Sequence, residues 1–309
     1  MARRNIGGNK KENYEWVLRQ SAADNNWNSV CYSEPLDLYC AVASSGTGNR
    51  VMTSKDGKAW ETQASSADLV WTSVCWGNGL FVAVGGQIGA NYGIMTSPDG
   101  KVWTNRTATG LAAGLTCVCY GGGLYVAVGY GQYCYTSTNG TLWSRRTMAK
   151  NNHKYSVCYS EDLGFYVATG EGGIGYPIEI STDGTTWSAI SVPMPYVTWQ
   201  SVCYSKDLGL YTAVSNVNGG GEVLKSPDAN NWTRHGGLTY TYIRSVCSGR
   251  KLLMAISRYG TMCSKDSDTW IPVPVPTENN WNSVCYGKDK FVAVSSTGTG
   301  NRVMTMDWK

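Results

Sequence analysis

A valine-cysteine pair, then a glycine-broken apolar run, then a turn of the form Ser-x-Asp-Gly-x-x-Trp recurs along this chain. The pairs end at Cys31, Cys75, Cys119, Cys158, Cys203, Cys247 and Cys285. A repeat of roughly 40 residues holding several short strands marks an architecture in which each unit buries its faces against its neighbours. No composition break interrupts the series, so residues 13–309 are expected to form one domain.

The first unit shows what each repeat contains. Trp27-Asn28-Ser29-Val30-Cys31-Tyr32 reads as a short strand, Leu38-Tyr39-Cys40-Ala41-Val42-Ala43 as a second and Arg50-Val51-Met52-Thr53 as a third. Ser54-Lys55-Asp56-Gly57 turns the chain into Lys58-Ala59-Trp60-Glu61-Thr62, the fourth. Four such strands on short connections make an antiparallel sheet. In the turn, an Asx oxygen can accept the backbone N–H two residues on. The glycine supplies positive φ, and the tryptophan packs between units with its N–H free to reach a carbonyl. The turn residues Asp56, Asp99, Asn139, Asp183, Asp228 and Asp266 are therefore read as structural; the last two lack the glycine.

The seventh unit stops before its fourth strand. A stretch with the tryptophan pattern of a fourth strand, Tyr14–Arg19, stands at the other end of the chain. Together these predict an all-β, seven-bladed β-propeller of four-stranded antiparallel blades, its ring closed by the N-terminal strand completing the last blade. Closure removes two open sheet edges.

The formal charge of +4 sits mostly in residues 1–12, where Arg3, Arg4, Lys10 and Lys11 face a single acid, Glu12. That stretch reads as a flexible basic arm on a nearly neutral body. The body lacks the basic face that a nucleic-acid binder needs, and no apolar stretch reaches the length of a membrane span. No nucleic-acid partner and no membrane insertion are expected. The residues after Arg4 are not apolar, so no secretory signal is expected. Eleven cysteines are an odd number, and seven share one repeat position. They read as buried free thiols, in keeping with synthesis in a reducing cytoplasm.

The Ser-x-Asp-Gly-x-x-Trp turns resemble the Asp-box of sialidase-like propellers. The whole unit, with its Ser-Val-Cys-Tyr strand and Gly-Thr-Gly-Asn-Arg-Val-Met-Thr-Ser phrase, resembles propeller repeats in structural proteins of tailed bacteriophages and other large DNA viruses. The resemblance covers residues 14–309. It implies that links between second and third strands share a face with links from one blade to the next. That face carries loops that differ between repeats and hold Tyr92, Tyr130, Tyr133, Tyr176 and Tyr259, the candidate ligand-binding residues. Variable loops on a rigid ring are where specificity is usually placed.

A sialidase would need converging arginines. Arg50 and Arg302 fall at one repeat position and read as structural, and Arg244 and Arg258 are not placed beside them. His153 and His235 lie in separate links, so neither a metal cage nor a hydroxyl–histidine dyad is suggested. The leading expectation is a non-enzymatic structural or adhesion component of a virus particle, capsid or tail, docking other virion proteins or a receptor. The alternatives are a lectin-like propeller for cell-surface glycan and a sialidase-like hydrolase. No enzyme activity, cofactor or metal is expected.

Overall fold

The computed structural model describes residues 14–86, 92–111, 113–173, 175–217 and 220–307. Residues 1–12, read above as a basic arm, lie outside them. Seven four-stranded antiparallel sheets form the ring. Blades one to six span 27–63, 71–106, 115–147, 154–190, 199–238 and 243–273. Blade seven spans 281–307, and Val17–Arg19 is its fourth strand, pairing Val17 with Thr305 and Arg19 with Val303. The expected closing strand is therefore present. Trp16, just before it, is buried and donates from Nε1 to Thr261 Oγ1 of blade six at 2.8 Å.

The six Asx turns form as expected, with one adjustment of boundary. In blade one the outer strand is Glu61–Gln63, so Trp60 belongs to the turn. Asp56 Oδ1 accepts from the backbone N–H of Lys58 and Ala59 at 2.8 and 2.9 Å. Trp60 Nε1 closes the turn onto the Gly57 carbonyl at 3.0 Å. Its indole packs with Val292 and Val294 of blade seven and Tyr39 of blade one, so it does fasten two blades. In the two turns without glycine, Ala229 and Ser267 themselves adopt positive φ, 64° and 65°. The Asp bonds hold these residues in a conformation that costs an L-amino acid about 1 kcal/mol or more.

Each inner strand carries a β-bulge at its second residue. The bulge turns the following serine toward the next blade. Ser29 Oγ accepts from Val74 N–H at 3.1 Å and Ser73 Oγ from Val118 N–H at 3.1 Å. The same bond recurs from Ser156, Ser201, Ser245 and Ser283. In blade three Cys117 stands in for serine, and its thiol donates to the Val157 carbonyl at 3.8 Å. A belt of blade-to-blade bonds thus runs around the axis, just beneath the loop-bearing face.

All eleven cysteines are free. The expectation of burial holds fully only for Cys40, Cys134 and Cys263. The seven repeat cysteines are part-exposed, because their strand is the one nearest the channel. Burial nonetheless pushes their thiols up, Cys203 to about 12, so they are protonated at neutral pH. Strand directions put the Asx turns, and both ends of the described chain, on the face opposite the variable loops. Among the described residues no helix is long and apolar enough to cross a membrane.

Candidate functional site at the channel mouth

A cavity of about 750 Å³ opens at the loop-face end of the central channel. Its walls are the bulged residue, the serine and the valine of the inner strands, with Tyr130, Thr198 and Asn216 at the rim. The bulged position reads Asn28, Thr72, Thr116, Tyr155, Gln200, Arg244 and Asn282 around the ring. Four of these side chains clasp the next blade. Asn28 Nδ2 donates to Trp71 O at 2.9 Å and Thr72 Oγ1 to Leu115 O at 2.7 Å. Thr116 Oγ1 reaches Lys154 O at 2.6 Å, and Asn282 Nδ2 reaches Trp27 O at 3.0 Å.

Tyr155, Gln200 and Arg244, in consecutive blades, make no such clasp among the described residues. Gln200 Oε1 instead accepts from Asn216 Nδ2 at 3.4 Å. Burial pushes the Tyr155 phenol up, with the charges of Glu171 and Tyr130 adding to it. Among the described residues Arg244 is the sole charged side chain lining the cavity, and no carboxylate lines it.

Blade four organises the adjoining rim. Inner strands begin with Trp27, Trp71, Leu115, Trp199, Ile243 and Trp281, but blade four begins with Lys154. The matching position on the third strand, Met52 in blade one and Met95 in blade two, is Glu179. Lys154 Nζ and Glu179 Oε1 lie 2.7 Å apart with both side chains fully buried. Burial pushes the lysine ammonium down and Glu179 opposes that shift. Glu179 also accepts from the N–H of Ala149 and Lys150. Lys154 donates to Asn152 Oδ1, and Asn152 Nδ2 holds the carbonyls of Glu171 and Tyr176 at 2.7 and 3.3 Å. This chain of bonds fixes the loop that places Glu171 Oε2 3.7 Å from His153 Nδ1. The His153 ring stands edge-on to Tyr130, centroids 5.0 Å apart.

Of the five candidate tyrosines, only Tyr130 lines the cavity. Tyr92 and Tyr133 open third strands, and the Arg145 guanidinium lies 4.4 Å from the Tyr133 ring. Tyr176 is exposed under Lys150 Nζ at 4.4 Å. Tyr259 is exposed beside Tyr242, centroids 6.1 Å apart. Residues 87–91, which precede Tyr92 in the sequence and read with it as one of the variable loops, lie outside the described residues. Sequence reasoning missed Tyr155, Gln200 and Tyr196, which is 79% exposed, and it left Arg244 unplaced. The signal for the first two and Arg244 was present, three residues before each repeat cysteine.

The remaining motifs fall where repetition needs them. Arg50 donates to the carbonyls of Gly46, Ser44 and Leu69, and Arg302 to those of Gly298 and Ser296. Both are structural. His235, expected in a link, lies instead in the outer strand Thr233–Leu238. There Nδ1 is 2.6 Å from Asp268 and Nε2 is 3.0 Å from Thr233 Oγ1. None of these three lines the channel cavity. Among the described residues no group of three or more His, Cys, Asp or Glu is placed to hold a metal ion.

No protein-family model and no curated protein sequence matches the chain. Solved structures do match its fold. The virginiamycin B lyase of Staphylococcus aureus, in a catalytically inactive form with quinupristin, aligns with TM-score 0.80 at 9% identity over 96% of this chain and 100% of that one. YCF48 bound to D1 peptide aligns with TM-score 0.69 at 15% identity over 99% and 100%. The WD40 propeller domain of Doa1 aligns with TM-score 0.73 at 14% identity over 96% and 98%. These likenesses are of fold. They correct one expectation: the reading of the chain as no enzyme does not stand, because a lyase is among the proteins built on this same ring.

Proposed function

We propose that this chain is a docking propeller that holds a partner polypeptide on the loop-bearing face of blades four to six. The observation that carries this reading is the division of the ring. Blades seven, one, two and three close their bulge positions with clasps, and the Arg50 and Arg302 loops of blades one and seven are locked on carbonyls. Blades four to six leave the bulge position open, and exposed Tyr176, Tyr196 and Tyr259 stand on the same side of the ring. Tyrosines give large contact area at low entropic cost and are enriched where partners bind. Two propellers of similar fold, one bound to D1 peptide and one with quinupristin, lend support. The particle setting implied by the repeat's resemblance to viral propellers belongs to this proposal: the partners that the loop face engages are virion proteins.

The test compares partner capture by loop-face and turn-face variants from the particles or cells that make the protein. Tyr176→Ala with Tyr259→Ala should cut recovery of specific partners about tenfold, the effect of losing roughly 1.4 kcal/mol. Val102→Ser with Leu142→Ser, exposed on the turn face, should not. Equal recovery by both pairs refutes the assignment of the face.

A further inference from the structure

We infer that the channel mouth anchors the C-terminal carboxylate of the docked polypeptide, an inference that rests on the docking reading and names the chemistry of its contact at the ring axis.

Arg244 carries the argument. Among the described residues every other arginine has a partner: Arg19 and Arg106 on threonines, Arg234 and Arg250 on carboxylates, Arg145 and Arg258 over tyrosine rings. Arg146 bonds Thr136, and Arg50 and Arg302 bond carbonyls. Arg244 has none, and it sits at a position where four sister blades use Asn or Thr to bind a neighbouring carbonyl. A guanidinium is a two-pronged donor matched to carboxylate, and among the described residues nothing acidic in the cavity wall competes for it.

The neighbouring groups complete a set. Asn216 Nδ2 is spent on Gln200 Oε1, which leaves the Gln200 amide N–H groups free as donors. Asn216 Oδ1 is buried with no partner among the described residues. An unfilled buried acceptor is costly. A chain terminus offers a carboxylate for Arg244 and Gln200 and a last amide N–H for Asn216. The positive charge disfavours an amino terminus in the same place.

Shape selects an end rather than a loop. The cavity lies on the ring axis, and the bulge, serine and valine layers of the inner strands wall it around. A loop entering there must bring two backbone strands into about 750 Å³, whereas a terminus brings one. Tyr130 and Tyr155 line the same cavity and offer aromatic contact to the penultimate side chains.

The experiment uses the full chain, immobilised, and a mixed-sequence pool of acetylated octapeptides with free C-terminal carboxylates. The same pool amidated at the C-terminus and the acidic sugar 3′-sialyllactose serve as the other arms. The free-acid pool should be retained about tenfold better than the amide pool, in line with loss of a charge-assisted pair. Arg244→Gln should abolish that preference, and Arg244→Lys should keep part of it. Arg244 is exposed, so the melting curve of each variant should match the parent. Equal retention of both pools, lowered by Tyr176→Ala, overturns the anchor and leaves the docking face standing. Retention of neither pool refutes both readings, and preferential retention of 3′-sialyllactose refutes the anchor in favour of a glycan site.

Discussion

Asp183 accepts from the backbone N–H of Thr185 and Thr186 at 2.8 and 2.7 Å and from Ser181 Oγ at 3.0 Å. The Thr186 N–H is the main cause that holds its carboxyl far below the usual carboxylate range, against partial burial and with the Thr185 N–H adding to it. Asp99 and Asp228 are lowered in the same way, led by the N–H groups of Val102 and Asn231. In Asp56 and Asp266 burial is the largest influence and acts upward, but the bonds from Ala59 and Thr269 and their neighbours outweigh it. A carboxyl whose pKa is lower folded than unfolded stabilises the fold above its unfolded pKa and loses that stabilisation as pH falls through the folded value. The window therefore opens near pH 4 and extends downward. Asn139 makes the same bonds without a titrating group. Asp183→Asn is accordingly expected to leave stability at pH 7 within about 1 kcal/mol and to flatten the acid limb. Urea midpoints between pH 2 and 7 measure this; acid slopes identical to the parent's would refute it.

One element departs from the repeat more than any other, and it does so inside its core. Blade four buries Lys154 and Glu179 where blade six has Ile243 and Met262. Removing one member of a buried pair strands the other and costs about 3–5 kcal/mol, whereas replacing both by apolar residues is often neutral. Lys154→Ile or Glu179→Met alone should therefore destabilise by about that amount. The double variant, which copies blade six, should recover at least half of the loss, the remainder reflecting the N–H groups of Ala149 and Lys150 that Glu179 served. Equal losses in single and double variants, read from denaturant midpoints, would refute the pairing argument. The two substitutions also show the limit of legibility in the chain. The fold was readable because cysteine, glycine and tryptophan recur at fixed intervals, each for a local reason. Lys154 was visible as a lysine in a tryptophan position, yet its partner lies on another strand, and only the register of the third strand brings Glu179 to it. The same applies to the mouth: Tyr130 was found because tyrosines in loops stand out. Gln200 and Arg244 were not, because polar side chains at a strand's second residue look solvent-facing until the bulge is known to aim them at the axis.

At the scale of the ring, the split between clasped and open blades sets stability against binding. Seven identical interfaces would be the most stable arrangement that this repeat allows, and four of them keep the Asn or Thr clasp. The three interfaces that follow Tyr155, Gln200 and Arg244 forgo it, leaving the carbonyls of Trp199, Ile243 and Trp281 without a side-chain bond among the described residues. A part-buried hydrogen bond of this kind is worth about 1 kcal/mol net. Giving up three in consecutive blades is a local loss that a purely structural ring has no reason to carry, and functional sites are where such departures from the stable pattern collect. The combination Tyr155→Thr, Gln200→Thr and Arg244→Asn restores the clasp at every blade. It should raise the unfolding free energy by roughly 1–3 kcal/mol while abolishing retention of peptides bearing a free C-terminal carboxylate. Denaturant titration and the peptide-pool assay on one preparation read the two effects together. A variant that loses retention without gaining stability would show that the open positions cost the ring nothing. A variant that gains stability and keeps retention would show that the mouth is not where the partner binds.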